Sequence, residues 1–243
     1  MRWQAGKWER VVDEVAQEVG WRLLVDGRLL AEVPGSPWDP PELAVGYLFS
    51  VGLIDEAGDV QELQVDEARG EISVVVAKVA ERLRTWRARG ASPGGPNGEL
   101  LGGDIHWEGQ ITPRDVLGAT RMLRSAGIHH RRTGATHAAL LQWEGRTEVA
   151  EDVSRYSAVD RVIGRWLLSG EGRQPRLMAV TGRVGRGMVL RAARVRCPIL
   201  ISRAAPLSAG LRLAEEMGIC VIAFARAKRF SVYTVPERVT TGW

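Results

Sequence analysis

Leu177-Met178-Ala179-Val180-Thr181-Gly182-Arg183-Val184-Gly185-Arg186-Gly187, with the segment Met188 to Arg194 behind it, decides the fold class. Four apolar residues are enough for a short buried strand, glycines make the turn, and the following segment repeats its apolar positions at helical spacing. A strand feeding a helix through a glycine turn is the building unit of an α/β sheet. At such a turn the first N–H groups of the helix are free and the positive end of its dipole is exposed, so an anion is favoured there. Arg183 and Arg186 add formal charge. The turn has neither the Gly-Lys-Ser/Thr ending of a P-loop nor the Gly-x-Gly-x-x-Gly dinucleotide fingerprint. The competing reading is a tight connection whose arginines point to water.

Working outward, the alternation continues. Thr112-Pro113-Arg114-Asp115 opens a helix running to about Ser125, with Val116, Leu117, Ala119, Thr120 and Leu123 as its apolar stripe. His137 to Trp143, Pro198 to Ile201, Ile219 to Phe224 and Phe230 to Thr234 read as strands, and Ala158 to Leu168 and Ser208 to Met217 as helices. This order predicts a mostly parallel sheet with helices on both faces. Upstream, Trp21 to Val25 and Arg28 to Val33 flank Asp26-Gly27, a hairpin signal. Pro37, Pro40 and Pro41 precede a helix over Glu42 to Ile54, and Val60 to Val65 and Glu71 to Lys78 are further strands. Arg89 to Gly98 is too rich in glycine and proline for regular structure and is expected to be an exposed mobile loop. The expected organisation is an N-terminal strand and helix portion over 1–88, a loop over 89–103 and an α/β domain over 104–243.

A chain of 243 residues can bury a core without disulfide or metal staples. Its longest nearly unbroken apolar run, Leu43 to Ile54, is too short to cross a bilayer, and nothing in the first residues reads as a secretory signal. Two cysteines, Cys197 and Cys220, make no disulfide framework, so a reducing cytoplasm is the expected location. Net charge is +4, unevenly spread: Met1 to His130 holds 14 basic and 20 acidic residues, Arg131 to Trp243 holds 19 and 9. Only Lys7, Lys78 and Lys228 are lysines; the remaining cations are arginine, whose planar fork suits phosphate and flat rings. An anionic ligand in the second half is one reading, and solubility alone is the other.

Thr133-Gly134-Ala135-Thr136-His137 and Glu151-Asp152-Val153-Ser154-Arg155-Tyr156-Ser157-Ala158-Val159-Asp160 set hydroxyl, imidazole, carboxylate and guanidinium groups near the ends of one strand, where open α/β sheets place ligands. Against this stand a hydrogen-bonded core role for His137 and a solvated helix start for Glu151 and Asp152. Zinc is not supported: His137 is followed by Ala138-Ala139 where a zinc deaminase needs His-x-Glu, and Cys197 has no Cys-x-x-Cys partner. Cys220 lies inside an apolar run, where a thiol behaves as a small hydrophobe.

Taken together, these pieces resemble the formate dehydrogenase accessory sulfurtransferase family (FdhD/NarQ), from about Val25 to Tyr233. The similar blocks are Val25-Asp26-Gly27, Pro37 with Glu42 to Leu48, Thr133-Gly134 with His137-Ala138-Ala139, Glu151-Asp152-Val153 with Arg155 and Ala158 to Gly164, Gly182-Arg183, Ala205-Pro206, and Phe224 with Arg226 and Val232-Tyr233. The resemblance implies a cytidine-deaminase-like α/β fold with a mixed sheet and flanking helices, a small strand-rich N-terminal portion and a homodimer. It also implies binding of the guanine dinucleotide form of the molybdenum cofactor as cargo, with GDP as its mimic. Formate dehydrogenase and a cysteine desulfurase are the implied partners. By the family pattern, Phe224, Arg226, Lys228 and Arg229 belong to a cofactor-binding segment, with Arg183, His137, Asp152 and Arg155 in the other matching blocks.

The chain departs from that pattern where the chemistry lies. The family carries a Cys-x-x-Cys pair in the loop before the first helix of the α/β domain and holds a persulfide there; Arg89 to Leu101 contains no cysteine. Neither serine nor glycine stores a sulfane sulfur, so relay by that route is excluded. Ser154, Tyr156, Ser157, Ala135, Gly187 and Leu207 stand where other residues are expected. Three readings follow: a sulfurtransferase, a carrier of a guanylated molybdenum cofactor or guanine nucleotide without sulfur chemistry, and a nucleic-acid binder using the basic half. The last lacks aromatic platforms, because only Trp143, Trp166 and Trp243 of nine tryptophans lie in that half.

Overall fold

The computed structural model describes residues 1–88, 103–170 and 173–242; the expected loop Arg89 to Gly98 lies outside the described residues. In chain order, β1 (Arg2–Gln4) and β2 (Lys7–Glu9) form a small hairpin. They are followed by β3 (Val19–Val25), β4 (Arg28–Gly35), α1 (Pro40–Ser50), β5 (Val60–Asp66), β6 (Glu71–Val76) and α2 (Val79–Ala88). Next come α3 (Pro113–Ala126), α4 (Ile128–Thr133), β7 (His137–Trp143), β8 (Arg146–Asp152), α5 (Arg155–Leu168) and β9 (Leu177–Val180). The chain continues with α6 (Arg186–Arg194), β10 (Ile199–Ser202), α7 (Ser208–Glu216), β11 (Cys220–Arg226) and β12 (Arg229–Val232).

The hairpin signal at Asp26-Gly27 forms as expected: both residues take positive φ, 48° and 75°, and Val25 pairs with Arg28. Such a two-residue turn matches the twist of its strands. β3 and β4 join β6 and β5 in a four-stranded sheet ordered β4-β3-β6-β5. The larger sheet is ordered β12-β11-β10-β9-β7-β8. It is mixed where the alternation alone predicts mostly parallel: β9, β10 and β11 are parallel, whereas β7, β8 and β12 pair antiparallel. The reason is short connections. Glu144-Gly145 links β7 to β8, with Gly145 at φ 78°, and two residues cannot span a crossover.

Alternation along the central strands divides the core. Ala138, Leu140, Leu177, Ala179, Ile199 and Ile201 face the Val116, Ala119 and Leu123 stripe of α3. Their neighbours Ala139, Leu141, Met178, Val180, Leu200 and Val221 face the side holding α5, α6 and α7. Helix α3 starts as the sequence predicts, with Pro113 in its first turn, Asp115 N–H donating to Thr112 Oγ1 at 3.2 Å, and Thr112 N–H donating to Asp115 Oδ2 at 2.8 Å.

Helix α1 lies directly on α5. A Cβ added to Gly46 would sit 1.7 Å from the Asp160 carbonyl oxygen, and one on Gly164 2.0 Å from that of Glu42. Only glycine permits that approach. Two buried ion pairs fasten the same region. Arg191 meets Asp160 through both Nε and Nη2 at 2.8 Å, and Ser50 Oγ donates to Asp160 at 2.6 Å. Arg161 Nε donates to Asp152 at 2.7 Å, while its other nitrogens reach the carbonyls of Ser36, Trp38 and Asp39. Among the described residues no helix is long and apolar enough to cross a membrane.

Candidate functional site

The topology brings one set of chain ends together. Thr181, Arg203 and Arg226 stand at the C-terminal ends of the parallel strands β9, β10 and β11, and His137, which opens the antiparallel β7, lies at the same edge. Open α/β sheets gather ligands at this edge because loops there are free to carry polar groups. A cleft of about 640 Å³ opens here, lined by His130, Arg131, Thr136, His137, Thr181 and Arg203, with Arg124 and Arg226 at its side. A second hollow of about 550 Å³, with Arg121 and Ala227 on its wall, shares Arg124, Arg131, Arg203 and Arg226 with the first. Those four arginines form a ridge between two chambers of ligand size.

The ridge is positively charged and incompletely neutralised. Arg131 Nη1 donates to the carbonyls of Arg124 and Ser125 at 3.1 and 2.8 Å, closing the end of α3. Arg226 Nε donates to the Arg203 carbonyl at 3.0 Å. The guanidinium groups of Arg124 and Arg203 have no hydrogen-bond or ion-pair partner among the described residues. Among the described residues no carboxylate lines either chamber. Like charges held together in this way repel, and a bound anion relieves the repulsion while gaining charge-assisted hydrogen bonds. His137 contributes a neutral imidazole: burial, then the charges of Arg155 and His130, hold it below its ordinary value of 6.5 against the opposing pull of Asp152. Its Nδ1 lies 3.2 Å from Thr181 Oγ1.

Of the residues singled out from sequence, His137 and Arg226 line the cleft, and the other six stand elsewhere. Phe224 is next to it, its N–H donating to the carbonyl of Ala204, but its ring is exposed and tilts against Tyr233 at 6.5 Å. Lys228 and Arg229 are exposed at the β11–β12 turn, and Arg183 is exposed at the glycine turn. That turn is filled from within the chain: Gly182 packs on the Arg155 side chain and Gly187 on the Tyr156 ring. The guanidinium groups of Arg155 and Arg191 both contact the Tyr156 ring, each 4.6 Å from its centre. Asp152 is fully buried, with Arg161 Nε, Ser36 N–H and Ser154 N–H all donating to its carboxylate, so it serves the junction. Glu151 is not a solvated helix start; it accepts the N–H groups of His129 and His130 at 2.9 and 3.0 Å. Sequence reasoning passed over Arg124, Arg131 and Arg203, whose signal was position rather than motif: the first two lie in the last turns of α3 and α4, and the third directly follows β10.

Neither cysteine is available for chemistry. Cys197 and Cys220 are buried, and burial pushes both thiols up to about 12. The thiolate is the nucleophile, so at neutral pH both are inert.

Comparison with known proteins adds a consistent picture. The model of the FdhD/NarQ family matches residues 16–240. The sulfur carrier protein FdhD of Shouchella clausii is 30% identical over 98% of this chain and 94% of its own length. That of Cupriavidus necator is 31% identical over 98% and 88%. A crystal structure from Desulfotalea psychrophila, described as that of a formate dehydrogenase accessory protein, superposes with a TM-score of 0.80 at 28% identity over 98% of this chain and 95% of the other.

Proposed function

Because the chain belongs to the FdhD/NarQ family, we propose that it serves formate dehydrogenase maturation as a carrier of the guanine dinucleotide form of the molybdenum cofactor, binding it in the arginine-ridged cleft without passing sulfur. The carrying observation is the ridge, where Arg124 and Arg203 present unpaired guanidinium groups between two chambers. The fit to a guanylated cofactor is chemical: its pyrophosphate needs converging cations, and its flat rings need room beside them. Arg124, Arg131, Arg203 and Arg226 would hold the phosphates, with Thr136 and Thr181 as hydroxyl partners and the His130 and His137 rings beside them. When bound, the cofactor supplies the metal-dithiolene chemistry used by its client enzyme. This chain's residues bind and orient it.

The relatives are named sulfur carriers, and that name requires a thiol. Here the region before α3 has none, and Cys197 and Cys220 are buried with their thiols held protonated. The division of labour in this reading is cargo binding by the cleft and sulfuration elsewhere. Cytoplasmic location, a homodimer, a cytidine-deaminase-like fold and the three-part division of the chain belong to the same proposal. Incubation with a cysteine desulfurase and labelled cysteine tests the sulfur half: no protein-bound sulfane sulfur is expected, and stable label on either cysteine contradicts it. Titration with GDP, GMP and single-stranded DNA over a salt series tests the other half, where steep salt dependence without guanine preference favours a nucleic-acid binder.

A further inference from the structure

We infer that Trp38 and Glu151 are positioning residues for the cleft, holding helix α4 so that His130 and Arg131 stay on its wall. This rests on the reading of the cleft given above. Helix α4 is six residues long and buries none of its side chains completely. A helix of that length is unstable by itself, since nucleation is unfavourable and few bonds follow. Its order must come from outside.

Two contacts supply it. On one side, the Glu151 carboxylate accepts the N–H groups of His129 and His130 and also the Thr136 hydroxyl, at 2.9, 3.0 and 2.8 Å. One carboxylate thereby ties the start of α4 to the strand end that carries Thr136 and His137, and His130 Nδ1 lies 2.7 Å from the Thr136 carbonyl oxygen. On the other side, the Trp38 indole stacks on the His129 ring with centroids 3.7 Å apart and planes 21° from parallel. Trp38 belongs to the N-terminal portion, and its own backbone is fixed. Arg161 donates to the carbonyls of Trp38 and Asp39, and Arg165 Nη2 donates to the Asp39 carboxylate at 2.6 Å. Asp39 holds a left-handed φ of 42°, a conformation that persists only where surroundings enforce it.

The cleft wall is therefore assembled from two parts of the chain. If α4 moves, Arg131 leaves the carbonyls of Arg124 and Ser125, and the ridge loses its spacing. Neither Trp38 nor Glu151 lines the cleft, so both act through α4.

Hydrogen exchange of the amides of residues 129–134 and GDP affinity, measured on Trp38→Ala, Trp38→Phe, Glu151→Ala and Glu151→Gln, test this. Both alanine variants are expected to speed local exchange and weaken GDP about tenfold; phenylalanine should restore most of the Trp38 loss, and glutamine, with one acceptor oxygen in place of two, only part of the Glu151 loss. In an Arg131→Ala background the Trp38→Ala loss should shrink, because both act through one element. Unchanged exchange in the folded alanine variants, or losses that simply add in the double variant, would overturn the inference. Should the alanine variants fail to fold, Glu151→Gln decides it: its single acceptor oxygen cannot serve both backbone amides, so faster exchange at His129 or His130 is expected, and wild-type exchange there overturns the inference. Wild-type protein that takes up no GDP would defeat the cleft reading, leaving the exchange data to judge the positioning of α4.

Discussion

Arg161→Ala is expected to destabilise the protein by about 3 to 5 kcal/mol, because it leaves a buried carboxylate without its cation. Arg161 is 1% exposed and Asp152 not at all. The substitution removes the 2.7 Å bond to Asp152 and strips donors from the carbonyls of Ser36, Trp38 and Asp39. Two backbone N–H donors, from Ser36 and Ser154, remain on Asp152 and soften the loss without supplying charge. A useful control is Asp13→Ala, whose partner Arg2 lies in a pair with side chains 51% and 64% exposed. Exposed pairs of that kind contribute roughly 0 to 1 kcal/mol. For a chain of this length each kcal/mol moves Tm by about 2 to 4 °C, so Arg161→Ala should lower it by about 6 to 20 °C. Urea titration and calorimetry measure both quantities. A loss under about 1 kcal/mol, indistinguishable from the control, would refute the claim that this pair is a buried electrostatic joint. Removing both charges together, in Arg161→Met with Asp152→Asn, should recover part of the loss, since no unpaired ion then remains.

Other expectations follow from the same geometry. Native protein should resist thiol reagents at pH 8, because a thiol near 12 leaves on the order of one thiolate in ten thousand; rapid labelling of Cys197 or Cys220 before unfolding contradicts this. His137 is held below 6.5, so the folded state favours the neutral ring: its stabilisation is full above pH 6.5 and is lost as pH falls through the lower folded value. An anion in the cleft favours the charged ring, so GDP affinity should rise as pH falls below 6.5, and a flat or opposite slope measured by calorimetry sets that aside. Tyr156→Ala should cost about 2 to 4 kcal/mol by removing a ring that contacts two guanidinium groups, whereas Tyr156→Phe should cost under about 1 kcal/mol; equal losses in urea unfolding contradict the packing account.

Much of the architecture was legible because local signals and burial agree. The Asp26-Gly27 turn, the Thr112 capping box and the Leu177–Val180 strand each follow from a few adjacent residues. Strand β8 was not visible, since Arg146-Thr147-Glu148-Val149-Ala150-Glu151-Asp152 is mostly polar and earns its place by pairing with β7. Helix α4 was hidden for a related reason: Ile-His-His-Arg-Arg-Thr has no apolar stripe, and its order comes from Glu151 and Trp38. At the site, His137 and Arg226 were within reach of sequence reasoning, but arginine counting misled in detail. Arg161, Arg191 and Arg238 are buried in structural roles, and only the fold shows which of their neighbours in type face the cleft. The glycine turn around Arg183 looked like an anion cradle by local rules, yet Arg155 and Tyr156 occupy its inner side.

The most direct test of cargo binding is calorimetric titration of GDP into the wild-type chain, Arg203→Ala and Arg183→Ala at fixed salt. Saturable binding is predicted for wild type, about tenfold or greater weakening for Arg203→Ala, on the scale of one charge-assisted phosphate contact, and no change for Arg183→Ala. Absence of heat with the wild type, or equal affinity in the Arg203 variant, would contradict the arginine ridge as the place where the cofactor is held.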